Sequence, residues 1–296
     1  MGWKSKTPLI LFGLFVTIAL LAQSKAKKDM TPEEISQATL GTSEQQHRAF
    51  PPHKIIGNVY FVGTEILGSF VIATSDGLIL INSSFEANVP ILQAGVEKIG
   101  FRFADIRIVL GSHAHADHQE GDALVKQLTG ARVIAMAEDV PALQRMRPGG
   151  KEHPIDRMLH DGDSVDLGDV SLVAHLTPGH TPGNTTWTMK AMEGGKIYDV
   201  CILGGQGVTA GQNLFNANGL TATGEEFIRS FKLLRSLHCD VAVGSHNAMF
   251  NLFEKYPKIG KGPNPYIDTA GYLEELDTRE RVFNLRLAEQ KRVAGK

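Results

Sequence analysis

The 296-residue chain has only two cysteines, Cys201 and Cys239, and no C-x-x-C pair. Thiolates alone therefore cannot build a structural zinc site, and a thioredoxin-like redox motif is excluded. Lysine and arginine number 30 against 32 aspartates and glutamates, a net charge of −2, and no basic block stands out. A nucleic-acid partner thus has no electrostatic support. No repeat of 20–50 residues is visible, which removes solenoids and propellers. No G-x-S-x-G occurs, so the serine nucleophile elbow is missing as well. Hydrophobic residues make up 42% of the chain, enough for a buried core, which excludes a disordered or fibrous chain. Histidine is the exception to this plain composition: there are 11.

Long apolar runs are also lacking. The longest, Pro8 to Ala22, holds about 15 residues, short of the roughly 20 that span a bilayer. Lys4 and Lys6 precede it, and Ser24-Lys25-Ala26 places small residues at −3 and −1. Residues 1–26 read as a secretory signal peptide cleaved near Ala22 to Ala26, rather than an uncleaved anchor. No cysteine follows the run, so a lipid anchor is not expected. The expectation is a periplasmic or secreted protein, free of the membrane after cleavage, with residues 27–296 as one domain. An oxidising compartment would permit a Cys201–Cys239 disulfide. Two buried free thiols fit the sequence equally well.

The remainder alternates between strand and helix signals. Thr31-Pro32-Glu33-Glu34 predicts a helix start with a capping box between Thr31 and Glu34. Short β-branched runs follow at 55–62, 68–73 and 78–81, separated by Gly-Asn and Asp-Gly turns. A helix is expected over 87–99, burying Ile91, Val96 and Ile99. A continuous strand at 106–110 stops at Gly111. A helix at about 120–128 and a strand at 132–135 come next, and 145–161 reads as a surface loop. Strands resume at 165–167, 170–176, 185–189 and 200–203. Thr223 with Glu226 predicts a second capping box, opening a helix with Phe227, Phe231 and Leu234 on one face. After a strand at 240–243, a last helix over about 269–290 has Leu273, Leu276, Phe283 and Leu287 to bury. The order β-rich, βαβ, β-rich, α-β-α suits an α/β (α+β) fold with two stacked mixed sheets and helices outside.

Five histidines fall at three strand-to-loop junctions, where α/β folds open their ligand crevices. The first junction is Gly111-Ser112-His113-Ala114-His115-Ala116-Asp117-His118. If extended, its alternation points His113 and His115 the same way, while the two alanines leave room for metal ions. Asp117 and His118 offer a carboxylate and an imidazole to a second ion. Imidazole and carboxylate without thiolate suit Zn²⁺, with Fe or Mn as alternatives. Thr177-Pro178-Gly179-His180-Thr181-Pro182-Gly183 ends another strand and stiffens a loop around His180. Val243-Gly244-Ser245-His246 ends a third. A single strand-end histidine is more often structural, but four candidate ligands within six residues reverse that expectation. His47, His53, His153, His160, His175 and His238 read as surface or structural groups. Trp187 and Tyr60-Phe61 read as sheet packing, and Phe250 and Phe253 as either core or cleft wall. Gly205-Gln206-Gly207-Val208-Thr209-Ala210 matches a dinucleotide G-x-G-x-x-A, but no helix is expected after it.

His113-Ala114-His115-Ala116-Asp117-His118 resembles the H-x-H-x-D-H motif of the metallo-β-lactamase superfamily, and Thr177 to Gly183 its T-P-G-H-T-P-G loop. The resemblance runs from about His53 to Gln290. It implies an αββα sandwich with a two-zinc cleft between the sheets. His113, His115 and His180 would hold one Zn²⁺; Asp117, His118 and His246 would hold the other. No aspartate stands where the thioesterases and most lactonases place a ligand between the two zincs, and Cys201 lies too early in its strand to replace it. The ligand set, and the stretches 237–241 and 264–268, are most similar to the third subclass of zinc β-lactamases. That resemblance implies hydrolysis of penicillins, cephalosporins or carbapenems by a zinc-activated water whose pKa falls toward about 7, oriented by Asp117. A secreted dizinc lactonase or other ester hydrolase, or a zinc-binding homologue without activity, are the competing readings. The sequence departs from the pattern in three places. Gln206, or Thr209, stands near the serine that helps many members hold the substrate carboxylate. Asn82 replaces an aspartate, and Gln119-Glu120 replaces small residues after the motif.

Overall fold

The computed structural model describes residues 26–295. The expected signal segment, except Ala26, lies outside the described residues. A seven-stranded sheet runs in chain order: β1 (His53–Ile56), β2 (Val59–Phe61), β3 (Phe70–Thr74), β4 (Gly77–Ile81), β5 (Ile106–Leu110), β6 (Arg132–Met136) and β7 (Arg157–Leu159). Its first three pairings are antiparallel and its last three parallel. The second sheet is built from β8 (Ser164–Leu167), β9 (Val170–Leu176), β10 (Thr185–Glu193) and β11 (Lys196–Leu203). After a two-stranded hairpin, β12 (Phe215–Asn216) and β13 (Gly219–Leu220), it gains β14 (Val241–Gly244) parallel to β11. The helices are α1 (Pro32–Leu40), α2 (Ser43–Gln46), α3 (Val89–Lys98), α4 (Ala116–Gln119), α5 (Asp122–Thr129), α6 (Val140–Arg145), α7 (Ala222–Ser236), α8 (Leu252–Lys255) and α9 (Thr269–Val293).

The period-2 pattern of β4 decides its two faces. Ile79 and Ile81 enter the core between the sheets, with Phe70, Ile108, Trp187 and Ile202. Leu78 and Leu80 enter the core beneath α3 and α5, with Val89, Leu92, Val96 and Val125. Both faces of the first sheet are therefore covered. On the far side α7 packs on α9 and α9 on β14, with Phe227, Phe231, Phe283 and Leu287 in one buried cluster. The result is the expected αββα sandwich. Trp187 is buried at its centre, and its indole N–H donates to the Gly111 carbonyl at 3.1 Å. That bond pins the second sheet to the end of β5.

The Thr31 capping box forms as expected, with Glu34 Oε2 accepting from the Thr31 N–H at 2.7 Å. The second one does not. α7 begins earlier, capped by Thr221 Oγ1 accepting from Gly224 N–H at 3.1 Å, so Thr223 is already helical. The stretch at 145–161 carries the edge strand β7, too short to show a period. Ile91, Ile99 and Leu273 are less buried than expected; Val89 and Leu92 fill the space under α3 instead. Phe250 is core, and Phe253 is exposed and edge-on to Phe50. Cys201 and Cys239 form a disulfide joining β11 to the segment before β14. Closing that loop contributes about 4 kcal/mol in the chain-entropy account. Among the described residues, no helix is long and apolar enough to cross a membrane.

Candidate metal centre

Three strand ends converge at one edge of the sandwich. After β5 the chain does not stay extended: the His115 N–H donates to the His113 carbonyl at 2.8 Å, a tight turn. The imidazoles still converge, because the turn is followed by α4, which presents Asp117 and His118 from one helical turn. His180 enters from the β9–β10 loop and His246 from the end of β14. The ligand atoms of His113, His115 and His180 lie within 4.8 Å of one another, and so do those of Asp117, His118 and His246. The His113 and His118 rings, 4.3 Å apart between centroids, join the two groups. All six sequence-derived metal residues are thus brought together.

The donor atoms fit metal ions better than they fit one another. His113 Nε2, both ring nitrogens of His118 and His246 Nδ1 are buried with no hydrogen-bond partner among the described residues. A buried polar atom left this way costs about 1–3 kcal/mol, so their grouping indicates an external partner. Burial first, and the mutual proximity of the imidazoles next, hold His113 and His118 well below the usual histidine range. The Asp117 carboxylate, 3.2 Å from His118 and 3.5 Å from His246, therefore faces neutral rings rather than ion-pair partners. Burial also lowers His180 to about 4 and His246 to about 3. Neutral imidazoles are the form that binds metal.

This has a measurable consequence for the metal-free protein. Unfolded histidine takes its proton near 6.5, whereas folded His180 and His246 resist until about 4 and about 3. Below 6.5 the unfolded chain thus binds more protons, and stability falls as pH falls through that window. Thermal melts of the chelated protein should show a steadily dropping Tm between pH 7 and 4. A Tm independent of pH there would contradict the burial argument.

The ligand loops are held by groups that motif reading did not single out. Asp139, at the end of the segment after β6, accepts from Ala114 N–H (2.7 Å), Thr181 Oγ1–H (2.8 Å) and Gly183 N–H (2.7 Å). One carboxylate therefore ties the His113–His118 loop to the His180 loop. Burial raises its pKa despite these donors. Asn184 donates to the Thr177 carbonyl and accepts from Gly205 N–H. His180 Nδ1 donates to the Gly207 carbonyl at 2.6 Å, which leaves Nε2 for a metal. The only available hint was position, since both Asp139 and Asn184 flank strands.

The departures acquire physical reasons. Asn82 is buried at φ 63°, a region asparagine tolerates better than most residues. Its amide donates to the Gly68 carbonyl and accepts from Ser112 N–H, a pair of roles no aspartate carboxylate can fill. Gln119 is buried and donates to Asp122; its amide occupies the space a Cβ on Gly111 would need, only 2.0 Å away. His153, read as structural, completes that cluster at 3.0 Å from the Gln119 carbonyl. Gly205 packs directly on the His180 ring, with an added Cβ 2.3 Å from it. No side chain fits there to supply a further ligand.

His115, Asp117, His180 and His246 open onto a cleft of about 1100 Å³. Its walls come from 205–213, α1 and α9. Gln206 and Thr209 both line it. Gln206 is 4% exposed and donates to the Gly204 carbonyl, and its Oε1 is buried without a partner among the described residues. Thr209 N–H donates to Gln212. This stretch is a loop, so the dinucleotide match at 205–210 has no helix behind it.

An αββα sandwich whose inter-sheet edge carries two His/Asp metal-binding groups defines a metallohydrolase. The profile of the metallo-beta-lactamase superfamily matches residues 68–191, and the chain belongs to that superfamily. The FEZ-1 metallo-beta-lactamase from Legionella gormanii is 41% identical, with a TM-score of 0.77, over 82% of this chain and 98% of that one. BJP-1, a subclass B3 metallo-beta-lactamase of Bradyrhizobium japonicum, is 30% identical with a TM-score of 0.76, over 84% and 98%. The solved structures it resembles over most of their length thus include subclass B3 enzymes. A hydroxyacylglutathione hydrolase of Maricaulis maris is 36% identical over 81 residues, 27% of this chain and only 28% of that enzyme. The chain thus spans little more than a quarter of that enzyme's length.

Proposed function

We propose that the protein is a two-zinc β-lactamase that opens the amide of penicillins, cephalosporins or carbapenems. The observation that carries this reading is the ligand set. Among the described residues the two trios, His113/His115/His180 and Asp117/His118/His246, group without a further carboxylate or thiolate, and a side chain at position 205 would clash with the His180 ring. Likeness to metallo-beta-lactamases over nearly their full length supports it. Held by these two trios, two zinc ions would supply Lewis acidity toward a lactam carbonyl and its leaving nitrogen and would make a water nucleophilic near neutral pH. The chain's own part is positional. Asp117 faces the cleft beside both His118 and His246, where its carboxylate would orient the attacking water by accepting its hydrogen. The Gly207 carbonyl fixes the tautomer of His180. Gln206 and Thr209 line the wall against which a substrate carboxylate would rest. The Cys201–Cys239 disulfide supports an exported, periplasmic or secreted protein, since such bonds persist in oxidising compartments. Small-molecule β-lactams are its proposed partners.

The match to hydroxyacylglutathione hydrolases gives a thioester or lactone reading its own support. Turnover of a penicillin, a cephalosporin, a carbapenem, a glutathione thioester and an acyl-homoserine lactone, with zinc content measured on the same sample, separates them. The expected result is kcat/KM of about 10⁴ M⁻¹s⁻¹ or more for at least one β-lactam. Faster turnover of the thioester or lactone than of every β-lactam would replace the proposal.

A further inference from the structure

One cation in the cleft is left with part of its hydrogen-bonding capacity unused. Arg279, on α9, is 6% exposed yet lines the cleft that holds His115, Asp117, His180 and His246. Its Nε donates to Glu275 Oε1 at 2.6 Å and its Nη2 to Thr39 Oγ1 of α1 at 3.1 Å. These two bonds fix the guanidinium plane. Nη1 has no hydrogen-bond partner among the described residues and faces the Gly207 loop, 3.9 Å from where a Cβ on that glycine would stand. Gly207 is the residue whose carbonyl holds His180, and Arg279 and Gly207 line the same cleft as His115, Asp117, His180 and His246.

The charge count around it is also lopsided. Glu275 is the buried counterion, but Lys27 shares it at 2.8 Å. Lys27, Glu275 and Arg279 together carry one positive charge more than they need. Arg286, the other cation lining the cleft, is already paired with Glu33 and Glu289. A desolvated guanidinium with one free N–H pair is suited to a carboxylate, where a charge-assisted bond is strongest.

We propose that Arg279 is the anion-recognition residue of this cleft, binding the carboxylate of the substrate through Nη1 while Glu275 and Thr39 hold its orientation. In this chain it takes the work that Gln206, turned back onto the Gly204 carbonyl, is poorly placed to do. The inference rests on the reading of the cleft as a β-lactam site and deepens it: the substrate must be an anion, and neutral esters or lactones must be poor ligands.

The test compares zinc-loaded wild type with Arg279→Met, Arg279→Lys and the double variant Glu275→Gln/Arg279→Met, which removes the counterion together with the cation. Zinc content and Tm establish that each is folded and loaded. Substrates are a cephalosporin with a free carboxylate and its methyl ester. Arg279→Met and the double variant should raise KM for the acid about tenfold to a hundredfold, the range of a charged hydrogen bond. KM for the ester should stay within about twofold and kcat within about threefold, the pattern of lost ground-state binding. Arg279→Lys should recover part of the loss. A parallel arm needs no turnover: calorimetric binding of mercaptoalkanoic acids of increasing length, against their methyl esters. At least one acid should bind wild type about tenfold more tightly than its ester, a preference absent from both Met variants. If wild type hydrolyses no β-lactam but keeps this preference, the substrate assignment fails and the role of Arg279 stands. If acid and ester respond alike in folded, loaded variants, or neither responds, the role of Arg279 is overturned.

Discussion

Chelation of the metal-loaded protein at neutral pH is expected to abolish hydrolysis and to lower Tm by about six degrees or more, both restored by zinc. The size follows from the buried nitrogens. His113, His118 and His246 each keep at least one ring nitrogen away from water with no hydrogen-bond partner among the described residues. Each such atom costs about 1–3 kcal/mol unmatched, so three represent roughly 3–9 kcal/mol that bound metal returns. For a domain of this size each kcal/mol moves Tm by about 2–4 degrees. Differential scanning calorimetry with and without a chelator, followed by zinc titration and assay, measures both effects. Activity persisting at zero metal content would end the metallohydrolase reading. An unchanged Tm would show instead that the site closes on itself when empty.

Asp139→Ala should be the most damaging substitution outside the ligands. Its carboxylate accepts three hydrogen bonds from two loops that are otherwise joined near the ligands by the Thr185 N–H donating to the Ser112 carbonyl. Removing it leaves Ala114 N–H and Gly183 N–H as buried donors without an acceptor and frees His115 and His180 to drift apart. Positioning groups of this kind are worth about 10- to 100-fold in metal affinity or activity, and the bridging geometry places Asp139 at the upper end. Competition with a chromophoric chelator should find the His113/His115/His180 group weakened more than the Asp117/His118/His246 group. Asp139→Asn, which keeps one acceptor oxygen, should lose less. If Asp139→Ala binds both metals with wild-type affinity, the carboxylate is a fold element only.

The difference between these two predictions marks what could be read in advance. The metal ligands were legible because chemistry restricts them to few residue types. Four of the six also fall within six residues, from His113 to His118. The sheets were legible from short β-branched runs bounded by turn residues and from apolar strands that stop at glycine. Asp139 was not, because its partners lie 25 to 44 residues away and an aspartate after a strand is ordinary. The N-terminus of α7 slipped by two residues because Thr221 and Thr223 both satisfy the local capping preference, and only tertiary packing chooses between them. β7 escaped because a three-residue edge strand owes its existence to the partner β6.

Arg279 makes the same point from the other direction. In sequence it is one of many charged residues on a long helix, with Glu275 four residues before it as any exposed pair might be. Folding buries that pair, adds Lys27 and Thr39 from the N-terminal segment, and turns the free edge toward Gly207 and His180. The sequence by itself determined the metal-binding chemistry and the two-sheet frame, because both depend on residue type and short-range spacing. Only the tertiary structure decided which groups hold the ligand loops, that Cys201 meets Cys239, and which cation faces the cleft. Those depend on contacts between segments far apart in the chain, whose energies are set by burial and mutual orientation rather than by any local pattern.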